Sequence, residues 1–369
     1  MVEARGCRAT TDLRISIQRL AVVVLACYCI SFFGGCGIPT KEPPLPQLQM
    51  PGIVRLDGLT SIQAQLGVHR ISSLTTYLEP AEQGGTGRTR VVASIGHGTY
   101  DMALDGTPPV KLSTEDLCNG EISASADGQL AVCRTSAGVS AFPLTASPAP
   151  VYLLLVNSPS ESTTPVRYIR AALSPDGARL AVVARGTETL LALYSIAPVT
   201  HAVQLVATLS LTQAAQAGRF ATVDIDQPVW SPDGHYIAFT IISPADTNIH
   251  LLRVAPFLLS TFATGRAPRQ IPVTTEALVK IPANSTSVPL SWSVDSASLI
   301  YVNFQGDSIE RVTIATGRTV PLFSQQLARI CYAVEVPNEH ALLFDLCRRV
   351  SEPEALAPIE QLYLYSGDE

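Results

Sequence analysis

Ser174-Pro175-Asp176-Gly177, followed by Ala178-Arg179-Leu180-Ala181-Val182-Val183, is a turn that feeds an apolar run. Serine opens a type I turn, proline presets φ at its second position, aspartate bonds its own backbone at the third and glycine closes the fourth. The run that follows is short, rich in β-formers and without a polar face, as a strand buried on both sides requires. The same punctuation returns at Ser125-Ala126-Asp127-Gly128 before Leu130-Ala131-Val132 and at Ser231-Pro232-Asp233-Gly234 before Tyr236-Ile237-Ala238-Phe239. It returns again at Ser293-Val294-Asp295-Ser296 before Leu299-Ile300-Tyr301-Val302. Two degenerate copies keep the spacing and lose letters: Gly87-Arg88-Thr89-Arg90 ahead of Val91-Val92-Ala93, and Pro337-Asn338-Glu339-His340 ahead of Ala341-Leu342-Leu343-Phe344. Successive markers fall about 40 to 60 residues apart, near the ~40–50 of a four-stranded propeller blade with some loops enlarged. Six markers predict an all-β, six-bladed propeller over residues 53–369.

The segments Trp230-Ser231-Pro232-Asp233-Gly234 and Ser291-Trp292-Ser293-Val294-Asp295 resemble the repeat of TolB-like, WD-like β-propellers. The resemblance implies that Trp230 and Trp292, standing before their turns, pack between neighbouring sheets. Leu173 and Ala124 hold that position in two other copies, which should pack differently there. The family spans partner-binding periplasmic proteins, peptidase gating domains and orphans, so the resemblance speaks to fold more than to function.

The remaining strands follow from the markers. Blade two continues with residues 138–144 and 150–156, blade three with 190–196 and 202–209, and blade four with 249–254 and 270–273. The last blade has 332–336, 341–346 and 361–365 and is one strand short. Ile53-Val54-Arg55-Leu56, unpaired at the other end, is expected to supply that outer strand and close the ring.

Composition bounds the rest. With 47% apolar and 15% charged residues the chain can bury a core and is not a disordered protein. Its 27 prolines and 24 glycines argue against a helical bundle. Net charge is −6, and lysine occurs only at Lys41, Lys111 and Lys280, so no basic surface is offered to nucleic acid.

The N-terminus carries an address. Arg5, Arg8, Arg14 and Arg19 precede a nearly wholly apolar run from Leu20 to Phe33, and Gly34-Gly35-Cys36 follows. As a helix at ~1.5 Å per residue that run is about 21 Å long, short of the roughly 30 Å needed to span a bilayer. Phe33-Gly34-Gly35-Cys36 resembles the lipobox of bacterial lipoproteins, with Phe33 where leucine is usual. The resemblance implies a signal peptide over 1–35 and a lipidated, palmitate-bearing Cys36 as the first mature residue. The other reading is an uncleaved anchor running to about Ile38. Either one puts the body on the extracytoplasmic face of a bacterial cell membrane, held through the N-terminal lipid or anchor. Residues 36–52 hold Pro39, Pro43, Pro44, Pro46 and Pro51, a tether that could reach ~50 Å if extended as polyproline II.

Outside the leader the cysteines are Cys118, Cys133, Cys331 and Cys347. Of three possible pairings, Cys118 with Cys133 and Cys331 with Cys347 stay inside single blades, while the others bridge blades that are not neighbours. An exported body favours disulfides. Position 347 lies opposite about 330, within reach of Cys331, whereas Cys118 must reach diagonally or sit in a loop before its strand.

No nucleophile elbow, phosphate loop or zinc-peptidase motif occurs, and no catalytic residue, metal ligand or cofactor is singled out. The histidines His69, His97, His201, His235, His250 and His340 are scattered. Asp224 and Asp226 alternate about Ile225 and could share a face for a cation, but a solvated strand start is the simpler reading. The repeated Asp127, Asp176, Asp233 and Asp295, with Gly128, Gly177 and Gly234, serve the turns. Asn284-Ser285-Thr286 is read as a chance glycosylation triplet.

The expected function is a membrane-tethered, non-enzymatic scaffold that binds a protein or cell-envelope ligand. The stretches 212–226 and 256–269, the latter with Phe257, Leu258, Leu259 and Phe262, are its candidate contact loops. The alternative is a propeller hydrolase of lactonase or glycosidase type, which needs three or four Asp, Asn, Glu or His side chains meeting a divalent metal in the central channel.

Overall fold

The computed structural model describes residues 52–56, 71–80, 87–95, 98–105, 107–112, 118, 121–145, 150–158, 165–210, 224–243, 246–254, 269–270, 277–282, 288–303, 305–326, 328–337, 339, 341–347 and 361–366. The leader, Cys36, the tether, His69, His97, His340, the glycosylation triplet and most of the two candidate contact loops lie outside these residues.

Every described element is a strand or a turn. β1 (Ile53–Leu56) precedes a first blade of β2 (Ile71–Glu79), β3 (Arg88–Ile95), β4 (Gly98–Ala103) and β5 (Val110–Lys111). The second holds β6 (Ile122–Ala124), β7 (Ala131–Arg134), β8 (Gly138–Phe142) and β9 (Tyr152–Val156). The third holds β10 (Arg167–Leu173), β11 (Arg179–Arg185), β12 (Thr189–Ile196) and β13 (Val203–Ser210). β14 (Asp224–Trp230), β15 (Tyr236–Ile242) and β16 (Asp246–Arg253) start the fourth; β17 (Arg269–Gln270) intervenes before its outer strand β18 (Ala277–Pro282). The fifth is β19 (Leu290–Trp292), β20 (Ser298–Val302), β21 (Ser308–Thr313) and β22 (Thr319–Ser324). The sixth is β23 (Arg329–Val336), β24 (Ala341–Cys347) and β25 (Gln361–Ser366), completed by β1.

The six sheets form a six-bladed β-propeller. The first strands β2, β6, β10, β14, β19 and β23 neighbour one another in a closed cycle, so they line the axis. β1 pairs antiparallel with β25, Ile53 opposite Tyr365 and Leu56 opposite Leu362, which zips the two ends of the chain into one sheet. The expected outer strand of the fourth blade is corrected. Arg269–Gln270 pairs in parallel with β13 of the third blade, and β18 takes the outer place against β16. The longer β-forming run of Leu278, Val279 and Ile281 explains why.

The second strands are buried on both faces because each blade is covered on either side by a neighbour. All five residues of β20 and all seven of β24 are buried. The apolar residues sort into six clusters, one between each pair of adjacent blades. Leu191, Leu209, Ile237 and Phe239 fill the wedge between blades three and four, and Ile300, Phe323, Ile330 and Phe344 the wedge between five and six. The other four wedges are filled alike. At roughly 1.5–3 kcal/mol for each large apolar side chain removed from water, these wedges are what hold the ring.

The four turns are built alike. The serine hydroxyl donates to the aspartate, at 2.8 Å for Ser125 to Asp127 and 2.6 Å for Ser293 to Asp295, and accepts the N–H of the residue five positions on, Leu130 or Ser298, where the next strand begins or is about to. The aspartate also accepts a backbone N–H, from Gln129, Ala178, His235 or Ala297, at 2.9–3.1 Å. Gly128, Gly177 and Gly234 lie at φ 67°, 68° and 70°, and Ser296 takes the same left-handed place at 60°. The Ser296 hydroxyl accepts the Asp233 N–H at 3.0 Å, a link from blade five to blade four that glycine could not make.

Both disulfides lie within one blade, with Cα–Cα distances of 5.5 Å for Cys118–Cys133 and 5.9 Å for Cys331–Cys347. Cys118 sits before β6, as a bridge to Cys133 requires when Ile122 already stands opposite it. Cys331 is the bulged residue between Ile330 and Tyr332, which brings it to Cys347 although Arg329 is the paired residue there.

Candidate functional site

The axis of the ring holds a cavity of about 400 Å³ lined by the first strand of every blade. Its mouth lies on the face that carries the turns. There the second turn residues Ala126, Pro175, Pro232 and Val294 join Leu78 and Pro337 to form an apolar collar, one residue from each blade. Backbone bonds run around this collar, from Leu78 N–H to Ala126 O at 3.0 Å and from Ala126 N–H to Pro175 O at 2.9 Å. Val294 N–H donates to Glu335 at 2.6 Å, and Thr89 donates to Pro337 O at 2.6 Å to join the sixth blade to the first.

Deeper in the channel the same repeat position recurs. Glu121, Arg170, Gln227 and Pro289 each stand four residues before a turn serine; all but Arg170 line the cavity, as do Ser73 and Tyr332 from the two blades that lack such a serine. Arg170 of blade three reaches both flanking blades. Its Nε is 2.5 Å from Asp226 Oδ1 and 3.3 Å from Glu121 Oε2, and its Nη2 is 3.2 Å from Asp226 Oδ2. Gln227 donates its side-chain amide to the other oxygen of Glu121. It does so from φ 51°, at an irregularity where β14 shifts register between Asp226 and Val229. A left-handed glutamine costs on the order of 1 kcal/mol and persists only where the surroundings demand it.

The Glu121 side chain is 19% exposed. Burial lifts its carboxyl to about 7, helped by repulsion from Asp226 and opposed by Arg170 and the Gln227 amide. Burial also works against the Arg170 guanidinium, but Glu121 and Asp226 outweigh it and hold the proton more firmly. Arg134, on β7, is lowered by burial and by the nearby Arg170. A carboxyl tuned to neutral pH inside a cavity, next to a strained backbone, marks this layer as the candidate site.

The residues singled out from sequence are placed as follows. Trp230 and Trp292 are 8% and 7% exposed and line the cavity. Each indole N–H donates to the preceding blade, Trp230 to Ala172 O at 3.0 Å and Trp292 to Val229 O at 3.1 Å. At the Leu173 position the link between blades is a different one, Leu173 N–H to the Ser123 hydroxyl at 3.0 Å. Asp224 pairs with Arg185 and Asp226 with Arg170, so both join blade four to blade three; Asp226 is 8% exposed, which corrects the expectation of a solvated strand start. His235 pairs with Asp233 at 3.1 Å in the solvent, His201 packs at a tilt against Tyr152 and His250 stacks on Phe239; none of the three lines the cavity. Among the described residues no group of three or more His, Cys, Asp or Glu is placed to hold a metal ion.

Glu121, Arg170, Gln227 and Glu335 were not foreseen. For the first three the signal is their shared offset of four residues before a turn serine; Glu335 instead holds the place that Trp230 and Trp292 take in their blades.

No family model matches the sequence, and no curated protein matches it. Solved structures do. TolB from Acinetobacter baumannii aligns at 14% identity and TM-score 0.43 over 84% of this chain and 68% of its own. An oligogalacturonate lyase in complex with manganese aligns at 11% identity and TM-score 0.46 over 82% and 98%. The calcium-binding protein regucalcin from Agrobacterium tumefaciens aligns at 9% and 0.48 over 81% and 95%. Enzymes and binding proteins stand side by side in this company, and at such identities the likeness extends to the propeller fold alone.

Proposed function

We propose that this chain is a membrane-tethered extracytoplasmic lipoprotein, anchored through Cys36, whose propeller is a non-enzymatic binding module with the axial cavity as its ligand site. The observation that carries this reading is the cavity itself, which joins an apolar collar at the mouth to a positioned polar layer beneath. Concave, largely apolar sites with a few convergent polar groups are where ligands bind. A hydrolase reading would need Glu121 and Asp226 as metal ligands. Among the described residues these two carboxylates have no third His, Cys, Asp or Glu placed with them, as a metal site would require.

Two measurements test the proposal. Nile red, a neutral apolar dye, should fluoresce when mixed with the full chain, and Val294→Trp in the collar should weaken that binding severalfold. Equal binding by the variant would place the ligand site elsewhere. Cys36→Ala should move the protein from the membrane to the soluble fraction, and retention on the membrane would refute the lipid anchor.

A further inference from the structure

Among the described residues, the axial cavity is lined by two acids, Glu121 and Glu335, and by no arginine, lysine or histidine. The compensating cations stay off the lining: Arg170 pairs with Glu121, Arg134 acts on it through space, and Arg311 pairs with Glu335 at 2.9 Å. Asp226 adds a second carboxylate to the same Arg170. The wall between the two glutamates is apolar and aromatic, with Trp230, Trp292 and Tyr77 among its residues.

An anion entering this space would lose its hydration and meet two carboxylates, while the nearest guanidiniums, Arg170 and Arg311, are already engaged by Glu121, Asp226 and Glu335, which is unfavourable. A wholly apolar ligand would fill the wall but strip water from Glu121 without replacing it. A ligand that carries an ammonium group satisfies both demands. Its charge-assisted bond to a carboxylate is roughly twice as strong as a neutral one, and aromatic walls favour a nearby cation. Building on the reading of this cavity as a ligand site, we infer that it binds a small organic ammonium ion with an apolar body, the body seated beneath the collar and the ammonium on Glu121.

Three probes of one shape test this by calorimetry on the full chain at about pH 8: tryptamine (cation), tryptophol (neutral) and indole-3-propionate (anion). Tryptamine should bind about tenfold or more tighter than tryptophol, and indole-3-propionate weakest. In Glu121→Gln the ratio of tryptamine to tryptophol affinity should fall to about one while tryptophol binding persists. That ratio is read within one variant, so loss of stability cannot mimic it. Glu335→Gln should narrow the ratio less, by about two- to threefold. Equal binding of the three probes, or a preference for the anion, overturns the ligand class and leaves the cavity as a binding site. A cation preference that survives in Glu121→Gln overturns the assignment of that carboxylate. If none of the three binds, the reading of the cavity as a ligand site falls as well.

Discussion

Gln227 of the fourth blade donates its side-chain amide to Glu121 of the second, past Arg170 of the blade between them. This bond is one of the forces that keep the Glu121 carboxyl from rising further. Asparagine accepts left-handed backbone but is one methylene shorter. Gln227→Asn should therefore keep the fold, lose the bond and raise the Glu121 titration midpoint above about 7. Carboxyl chemical shifts followed through a pH titration give the answer, and an unchanged or lowered midpoint would contradict this account.

The blade architecture is readable in the sequence because hairpin turns are local. Serine, proline, aspartate and glycine act on their own backbone, so Ser231-Pro232-Asp233-Gly234 announces its turn wherever it is placed. The closing strand Ile53–Leu56 and the pairing of Cys331 with Cys347 followed from counting along the blades. The axial layer was hidden because Glu121 and Arg170 look like ordinary solvated charges until the ring bends them toward one axis. The expected blade-four strand at 270–273 misled for a similar reason: a short strand does not say which sheet edge it will meet, and Gln270 pairs with blade three.

Glu121 should also leave a mark on stability. Its folded value of about 7 lies above the ordinary glutamate range near ~4.3, so the folded state holds the proton more tightly. The contribution is greatest below the unfolded value, declines as pH rises toward about 7 and is flat beyond, a change on the order of 1–3 kcal/mol. Urea melts from pH 4 to 8 should show this decline, and Glu121→Gln should flatten it. The turn aspartates act with the opposite sign. Bonds from Ser293 and Ala297 hold the Asp295 carboxyl low; at Asp233 burial pulls upward but the bonds from Ser231 and His235 outweigh it. Their support is present above the unfolded aspartate value and is lost as pH falls through their folded values, giving an acid limb that Glu121→Gln leaves in place.

Two turn glycines with nearly the same φ, Gly128 at 67° and Gly234 at 70°, should respond differently to one methyl group. A Cβ on Gly234 meets nothing within 4 Å, so Gly234→Ala carries the backbone cost alone, about 1–2 kcal/mol. A Cβ on Gly128 would fall 2.2 Å from the ring of Tyr77, which is 5% exposed and bonded to Asp101. That ring has nowhere to go. Gly128→Ala should cost a further ~1–3 kcal/mol by overpacking, and equal melting midpoints for the two variants would refute the difference.

Trp292 tests the joints between blades. Its indole N–H reaches Val229 O across the wedge, and its ring stacks on Tyr236 at 6.2 Å. Trp292→Phe keeps an aromatic body, leaves that carbonyl without its donor and opens a small gap, for a loss of about 1–3 kcal/mol. Hydrogen exchange should show the effect in β14 and β19 before β2 or β6. Uniform loosening of the whole ring would mean that the bond does not act locally.

Among the described residues, the outer strand β9 is the edge least defended against pairing with another chain. Elsewhere β13 is covered by β17, β22 carries Pro321, β18 carries Lys280 and ends on Pro282, β1 carries Arg55, and β5 is only two residues long. β9 reads Tyr152-Leu153-Leu154-Leu155-Val156 without charge or proline, and Leu153 and Val156 are 50% and 64% exposed. Such an edge templates association, and one lysine on its exposed face discourages it. Leu153→Lys should leave the melting temperature within about 2 °C, since a surface change away from the core costs little. Light scattering at high protein concentration should fall. Unchanged association in this variant would show that another surface brings the molecules together.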